Sequence, residues 1–135
     1  MKGVVSDTQG MIASMDPALD ETLYRFMAVT PDAAPQLLGS ALATFREDEG
    51  VSAIVPDPLA SEMCADGPLF ARITLRVNSD LEGVGLTAAV ATALADEGIA
   101  CNVVAALHHD HLFVTAERAD NALEILKDLA ASKRR

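Results

Sequence analysis

The sequence has no tryptophan, only two cysteines and half as many basic as acidic residues. No apolar run approaches the ~20 residues that a membrane span requires, so no membrane partner is expected. Cys64 and Cys101 are too few for a disulfide framework and read as free thiols in a reducing compartment. The segment Met1–Asp7 lacks the apolar core of a secretion signal, so the chain is expected in the cytoplasm. Ten Lys and Arg face twenty Asp and Glu, for a formal net charge of −10. Affinity for nucleic acid rests on phosphates neutralised by Lys and Arg, so nucleic acid is not an expected partner. The one basic cluster, Lys133-Arg134-Arg135, reads as a helix end complementing its own dipole.

Signatures of catalysis are missing as well. The chain has no G-x-S-x-G nucleophile elbow and no G-x-x-x-x-G-K phosphate loop. Gly83-x-Gly85 lacks the third glycine of a dinucleotide fingerprint. No cofactor is expected, and no catalytic residue is assigned.

What is present is apolar and periodic. Half of the 135 residues are hydrophobic, enough for one ordinary domain or two very small ones sharing a core. Phe70 to Val77 alternates, with Ala71, Ile73, Leu75 and Val77 on one side and Arg72, Thr74 and Arg76 on the other. Period two marks a half-buried strand. After a turn over Asn78 to Gly85, Leu86, Val90, Ala93 and Leu94 recur at helical spacing, and Gly98 stands where that helix would stop. Apolar runs Ile99 to Leu107 and Leu112 to Ala116 follow, flanking His108-His109-Asp110-His111. A last helix carries Ala119, Ala122, Leu123, Leu126 and Leu129 on one face.

The first half is less regular. Ser6 with Gln9 forms a candidate capping box for a short helix bearing Met11, Ile12 and Met15, ended by Asp16-Pro17. Leu23 to Val29 reads as a strand, and Leu37 to Asp48 as part turn, part helix with a Leu38, Leu42, Phe45 stripe stopped by Gly50. Val51 to Val55 reads as a short strand, Pro58 to Cys64 as one or two helical turns, and Ala65-Asp66-Gly67-Pro68 as the turn between halves.

The order strand, helix, strand, strand, helix in the second half resembles the ACT domain, a small regulatory module that binds amino acids. The residues that carry the resemblance are Leu81 to Ala88, Gly98 to Val104 and His108 to Val114, with Thr44 to Gly50 adding support. The chain is most similar to compact bacterial ACT-domain proteins related to the regulatory tail of aspartate kinase, over roughly residues 20 to 130. The resemblance implies an α+β, ferredoxin-like fold: an antiparallel sheet with helices on one face, in two halves, residues 1–67 and 68–135. The full module ends on another strand, which the second half lacks. The two halves are therefore expected to interlock, a first-half strand completing the second sheet. The family's habit of placing modules side by side, with the open edges of a small antiparallel sheet, implies a homodimer.

The candidate ligand site is the loop at the start of the second-half helix: Asn78, Ser79, Asp80, Leu81, Glu82, Gly83, Val84 and Gly85. A helix N-terminus presents unpaired N–H groups that suit a carboxylate. Gly83 and Gly85 allow close approach to the backbone, and Asp80 and Glu82 offer partners for an ammonium. Asn102, polar within an apolar strand, adds a hydrogen-bonding group. The alternative is that Ser79 or Asp80 caps the helix and the glycines only make the turn. The histidine run reads first as a hairpin with Asp110 at its tip, away from that loop. Neighbouring His108 and His109 point to opposite faces of a strand, and no H-E-x-x-H or C-x-x-C supports them as metal ligands. A histidine at such a turn also suits a pH sensor. Cys101 paired with His109 as a nucleophile would need an exposed thiol, which a core strand does not give. The sequence favours a non-enzymatic small-molecule sensor, with an amino acid as ligand. Its rivals are an interaction module without a small ligand and an enzyme built on the histidines.

Overall fold

The computed structural model describes residues 7–78 and 81–134. Its elements are α1 (Thr8–Ala13), β1 (Pro17–Val29), α2 (Ala34–Ser40), β2 (Ala43–Glu47), β3 (Gly50–Pro56), α3 (Asp57–Glu62), β4 (Phe70–Leu75), α4 (Leu86–Asp96), β5 (Asn102–Ala105), β6 (Asp110–Thr115) and α5 (Ala119–Ser132). Two compact units result: Met1–Asp20 with Ala71–Arg135, and Glu21–Phe70.

In the first unit the strands lie in the order β1, β4, β6, β5. The alternation of β4 sets its faces: Ala71, Ile73, Leu75 and Val77 are buried, while Arg72, Thr74 and Arg76 are not. The helices cover the buried face. Leu86, Val90 and Leu94, four residues apart, turn inward from α4; Ala119, Ala122, Leu126 and Ala130 do so from α5. Gly98, at φ 72°, takes the left-handed turn that ends α4. On the other face, the Arg72 guanidinium reaches Asp20 at 2.8 and 3.2 Å, and Thr74 Oγ1 lies 3.1 Å from His111 Nδ1. Such ion pairs contribute at most about 1 kcal/mol each, so the apolar face carries most of the stability.

The strand that completes this sheet is β1. It starts at Pro17, earlier than the expected Leu23. The pairing continues past it, with the Arg76 and Val77 N–H groups donating to the Asp16 and Met15 carbonyls at 3.3 and 3.2 Å. Helix α1 packs on α4 and α5 with Met11 and Ile12 buried. Its cap is Asp7, whose carboxylate accepts from the Gly10 N–H at 2.7 Å. Ser6 of the expected capping box lies outside the described residues, and Gln9 reaches the Lys133 carbonyl at 3.3 Å instead. Arg134 Nε adds a bond to the Ala13 carbonyl at 2.9 Å.

The second unit is a sheet in the order β2, β3, β1 under α2 and α3. Its core is Leu37, Ala53, Val55 and Ala60, with Met27 and Val29 packed against them. The stretch Leu37 to Asp48 corrects the sequence reading. α2 ends at Ser40, Ala41 turns extended (φ −65°, ψ 140°), and Ala43–Glu47 pairs with β3. The expected stripe does not form: Leu38, Leu42 and Phe45 are exposed, and Leu37 is the buried anchor. An aromatic and a β-branched residue side by side, Thr44-Phe45, suit a strand better than a helix once a partner strand is present. Arg25 fixes the start of α3. It pairs with Asp57 at 3.0 Å and donates to the Gly67 carbonyl, while Ser61 Oγ donates to the same carboxylate at 2.9 Å. The bond from Arg25, then that from Ser61, holds the Asp57 carboxyl below its ordinary pKa.

Candidate functional site

The loop before α4 ends at Gly85, which occupies the N-cap position at φ 106° with no side-chain cap. The first intrahelical bond at this end runs from the Ala89 N–H to the Gly85 carbonyl at 2.9 Å. The N–H groups of Leu86, Thr87 and Ala88 precede it and have no helical acceptor. Ser79 and Asp80, from which the sequence offered a cap, lie outside the described residues. Thr8 of α1 steadies the loop by donating its hydroxyl to the Val84 carbonyl. A Cβ on Gly85 would lie 2.6 Å from Thr8 Cγ2, so glycine is required here for space as well as for φ.

A cleft of about 530 Å³ opens at this helix start. The loop lines it with Leu81, Gly83, Val84 and Gly85, and α4 with Leu86, Thr87, Ala88 and Ala91. Met11 comes from α1, Ala105 from β5 and Asp110 from β6. Four of the expected loop residues therefore meet in one place. Asn78 and Glu82 are not among the lining residues. Neither is Asn102, whose Nδ2 lies 3.4 Å from the Phe113 carbonyl across the sheet.

Asp110 is the residue that the sequence reading placed elsewhere. It is not the tip of the hairpin. β6 starts with it, opposite Ala105 of β5, and the turn is Ala106 to His109, closed by the Ala106 N–H on the His109 carbonyl at 3.0 Å. The histidine turn is therefore not remote from the loop. His109 Nδ1 sits 3.4 Å from the Val77 carbonyl, and its neighbour Asp110 lines the cleft. Burial raises the Asp110 pKa, with His111 and His109 opposing the shift. Burial lowers that of His111, and the Arg72 and His109 charges add to the effect. His108 and His109 do not converge: their ring centroids are 6.4 Å apart at 57°. Among the described residues no group of three His, Cys, Asp or Glu is placed to hold a metal ion. Cys101 falls just before β5, half-buried and not in a core strand, and burial raises its pKa, which keeps the thiol protonated and a poor nucleophile. No helix among the described residues is long and apolar enough to cross a membrane.

Two models of the ACT domain match the chain, over residues 71–128 and residues 5–67. The chain is 41% identical to a Vibrio cholerae protein of unknown function described as a possible transport protein. That match covers 88% of this chain and 92% of the other, with a TM-score of 0.77. The ligand-free regulatory subunit of aspartate kinase from Thermus thermophilus shares the fold at 13% identity, over 84% of this chain and 95% of that one, with a TM-score of 0.56. No functionally curated protein matches. An antiparallel sheet under helices, two matched modules and a relative at 41% identity agree: the chain belongs to the ACT-domain family of small-molecule-binding regulatory proteins.

Proposed function

We propose that this protein is a non-enzymatic cytoplasmic sensor that binds a free amino acid in the cleft at the start of α4. The observation that carries this reading is the meeting, in one cleft, of the α4 start, where Gly85 at the N-cap has no side chain of its own to cap it, and the Asp110 carboxylate. A ligand carboxylate accepts from the N–H groups of Leu86 to Ala88, and its ammonium pairs with Asp110. Leu81, Gly83, Val84 and Gly85 supply the loop side of the site. The regulated partner is a second copy of the chain or an enzyme that answers to the ligand. The test is a thermal-shift panel of the amino acids on wild type and Asp110→Asn. A ligand at 100 times its dissociation constant adds about 2.7 kcal/mol of stability. A shift in wild type that shrinks in Asp110→Asn is expected. A flat panel would instead favour a module that works through protein contacts alone.

A further inference from the structure

We infer that the ligand of this cleft carries an uncharged, apolar side chain, and that Met11 of α1 helps to select it. The inference rests on the amino-acid reading above and adds the class of the amino acid. Its basis is the make-up of the walls. Among the described lining residues, Asp110 is the sole charged side chain, and no lysine, arginine or histidine faces the cleft. An acidic side chain would find no cation and would meet a carboxylate. A basic side chain would find, among the described lining residues, one carboxylate for two positive charges.

The rest of the lining is suited to hydrocarbon. Ala91 and Ala105 line it with Met11, which is only 1% exposed and lies at its floor, while Leu81 and Val84 are 66% and 77% exposed. Two large apolar side chains left in water on either side of two loop positions are a standing cost that an apolar ligand group would relieve by covering them. The flexible thioether of Met11 can adapt to side chains of differing shape. Helix α1 thus comes from the far end of the sequence to back the cleft, with Thr8 bonded to Val84 of the loop.

The experiment is calorimetry on the full chain with four groups of amino acids: Leu, Ile, Val, Met and Phe; Asp and Glu; Lys and Arg; Gly, Ser and Thr. Wild type is compared with Leu81→Ser, Val84→Ser, Met11→Ala and Asp110→Asn, each checked for an unchanged circular dichroism spectrum. A member of the apolar group is expected to bind tightest. Leu81→Ser and Val84→Ser are expected to weaken it by about tenfold, the size that follows from losing one to two buried methylene equivalents. Met11→Ala should change the rank order within the apolar group. If Met11→Ala does not fold, the two exposed-rim variants carry the test. Tightest binding of a charged or small polar amino acid, still lost in Asp110→Asn, would overturn this inference and leave the sensor reading intact. Absence of binding across all four groups, or binding indifferent to Asp110→Asn, would overturn the sensor reading and this inference with it.

Discussion

Asp110 is under two opposing demands. Burial holds its pKa above the ordinary 3.8, so the folded protein binds this proton more tightly than the unfolded chain does. The stabilising contribution of the protonated form is complete below that ordinary value and is lost as pH rises through the shifted one. At neutral pH the ionised carboxylate is therefore a net cost to the free protein, which a cation beside it would offset. Asp110→Asn should accordingly raise the unfolding midpoint of the ligand-free chain at pH 7, by an amount on the order of 0.5 kcal/mol for a half-exposed position. The gain should shrink as pH falls and vanish well below pH 3.8, where wild type carries the proton in both states. Denaturant unfolding at the two pH values measures it; a variant less stable than wild type at pH 7 would make Asp110 a structural residue. The spacing His108-His109-Asp110-His111 suggested a hairpin, and the hairpin is there. Its register was not legible, because shifting the turn by two residues costs little locally and is settled by pairing Ala105 with Asp110.

Among the elements, β1 and α1 depart most from their sequence signals. Alternation from Leu23 to Val29 is clear, but Pro17 to Thr22 has mixed polarity and carries no strand pattern of its own. Those residues are extended because β4 lies beside them, and Asp20 is answered by Arg72 across the pair. Helix α1, six residues long, is too short to be stable alone and exists because Met11 and Ile12 pack on α4 and α5. A fragment beginning at Pro68 would lack both, leaving β4 with an unpaired edge and the two helices with an uncovered apolar face. We expect residues 68–135 not to fold by themselves, and the addition of a peptide spanning residues 7–22 to restore helical circular dichroism. A cooperative thermal transition in the fragment alone would contradict this.

For the whole molecule, the open question is what meets the outer face of the Glu21–Phe70 unit. Cross-strand partners share a face, so Phe45 opposite Ser52 and Phe26 opposite Ile54 lie on the side away from Ala53 and Val55 of the core. Phe45 is 71% exposed and Phe26 41%, with the Phe70 ring set edge-on to the latter at 5.2 Å. β2 ends the strand order beside them and offers free backbone groups. A two-fold copy of the chain would cover rings and edge together. Light scattering at micromolar concentration is expected to give twice the 14.2 kDa of one chain, and Phe45→Glu to shift it toward the monomer. A 14.2 kDa species in wild type would exclude the dimer.

Composition and period alone determined a good deal of this protein. They placed β4 with its buried Ala71 to Val77 alternation and the inward stripes of α4 and α5, because each is written within a single segment as a repeat of 2 or 3.6 residues, and they bounded the loop ending at Gly85 between them. The tertiary structure decided the rest. It converted Ala43 to Glu47 into a strand against β3, extended β1 back to Pro17, and brought Met11 and Asp110, from opposite ends of the sequence, to one cleft. Those outcomes depend on which segments become neighbours, and a local pattern holds no information about a partner that lies elsewhere in the chain.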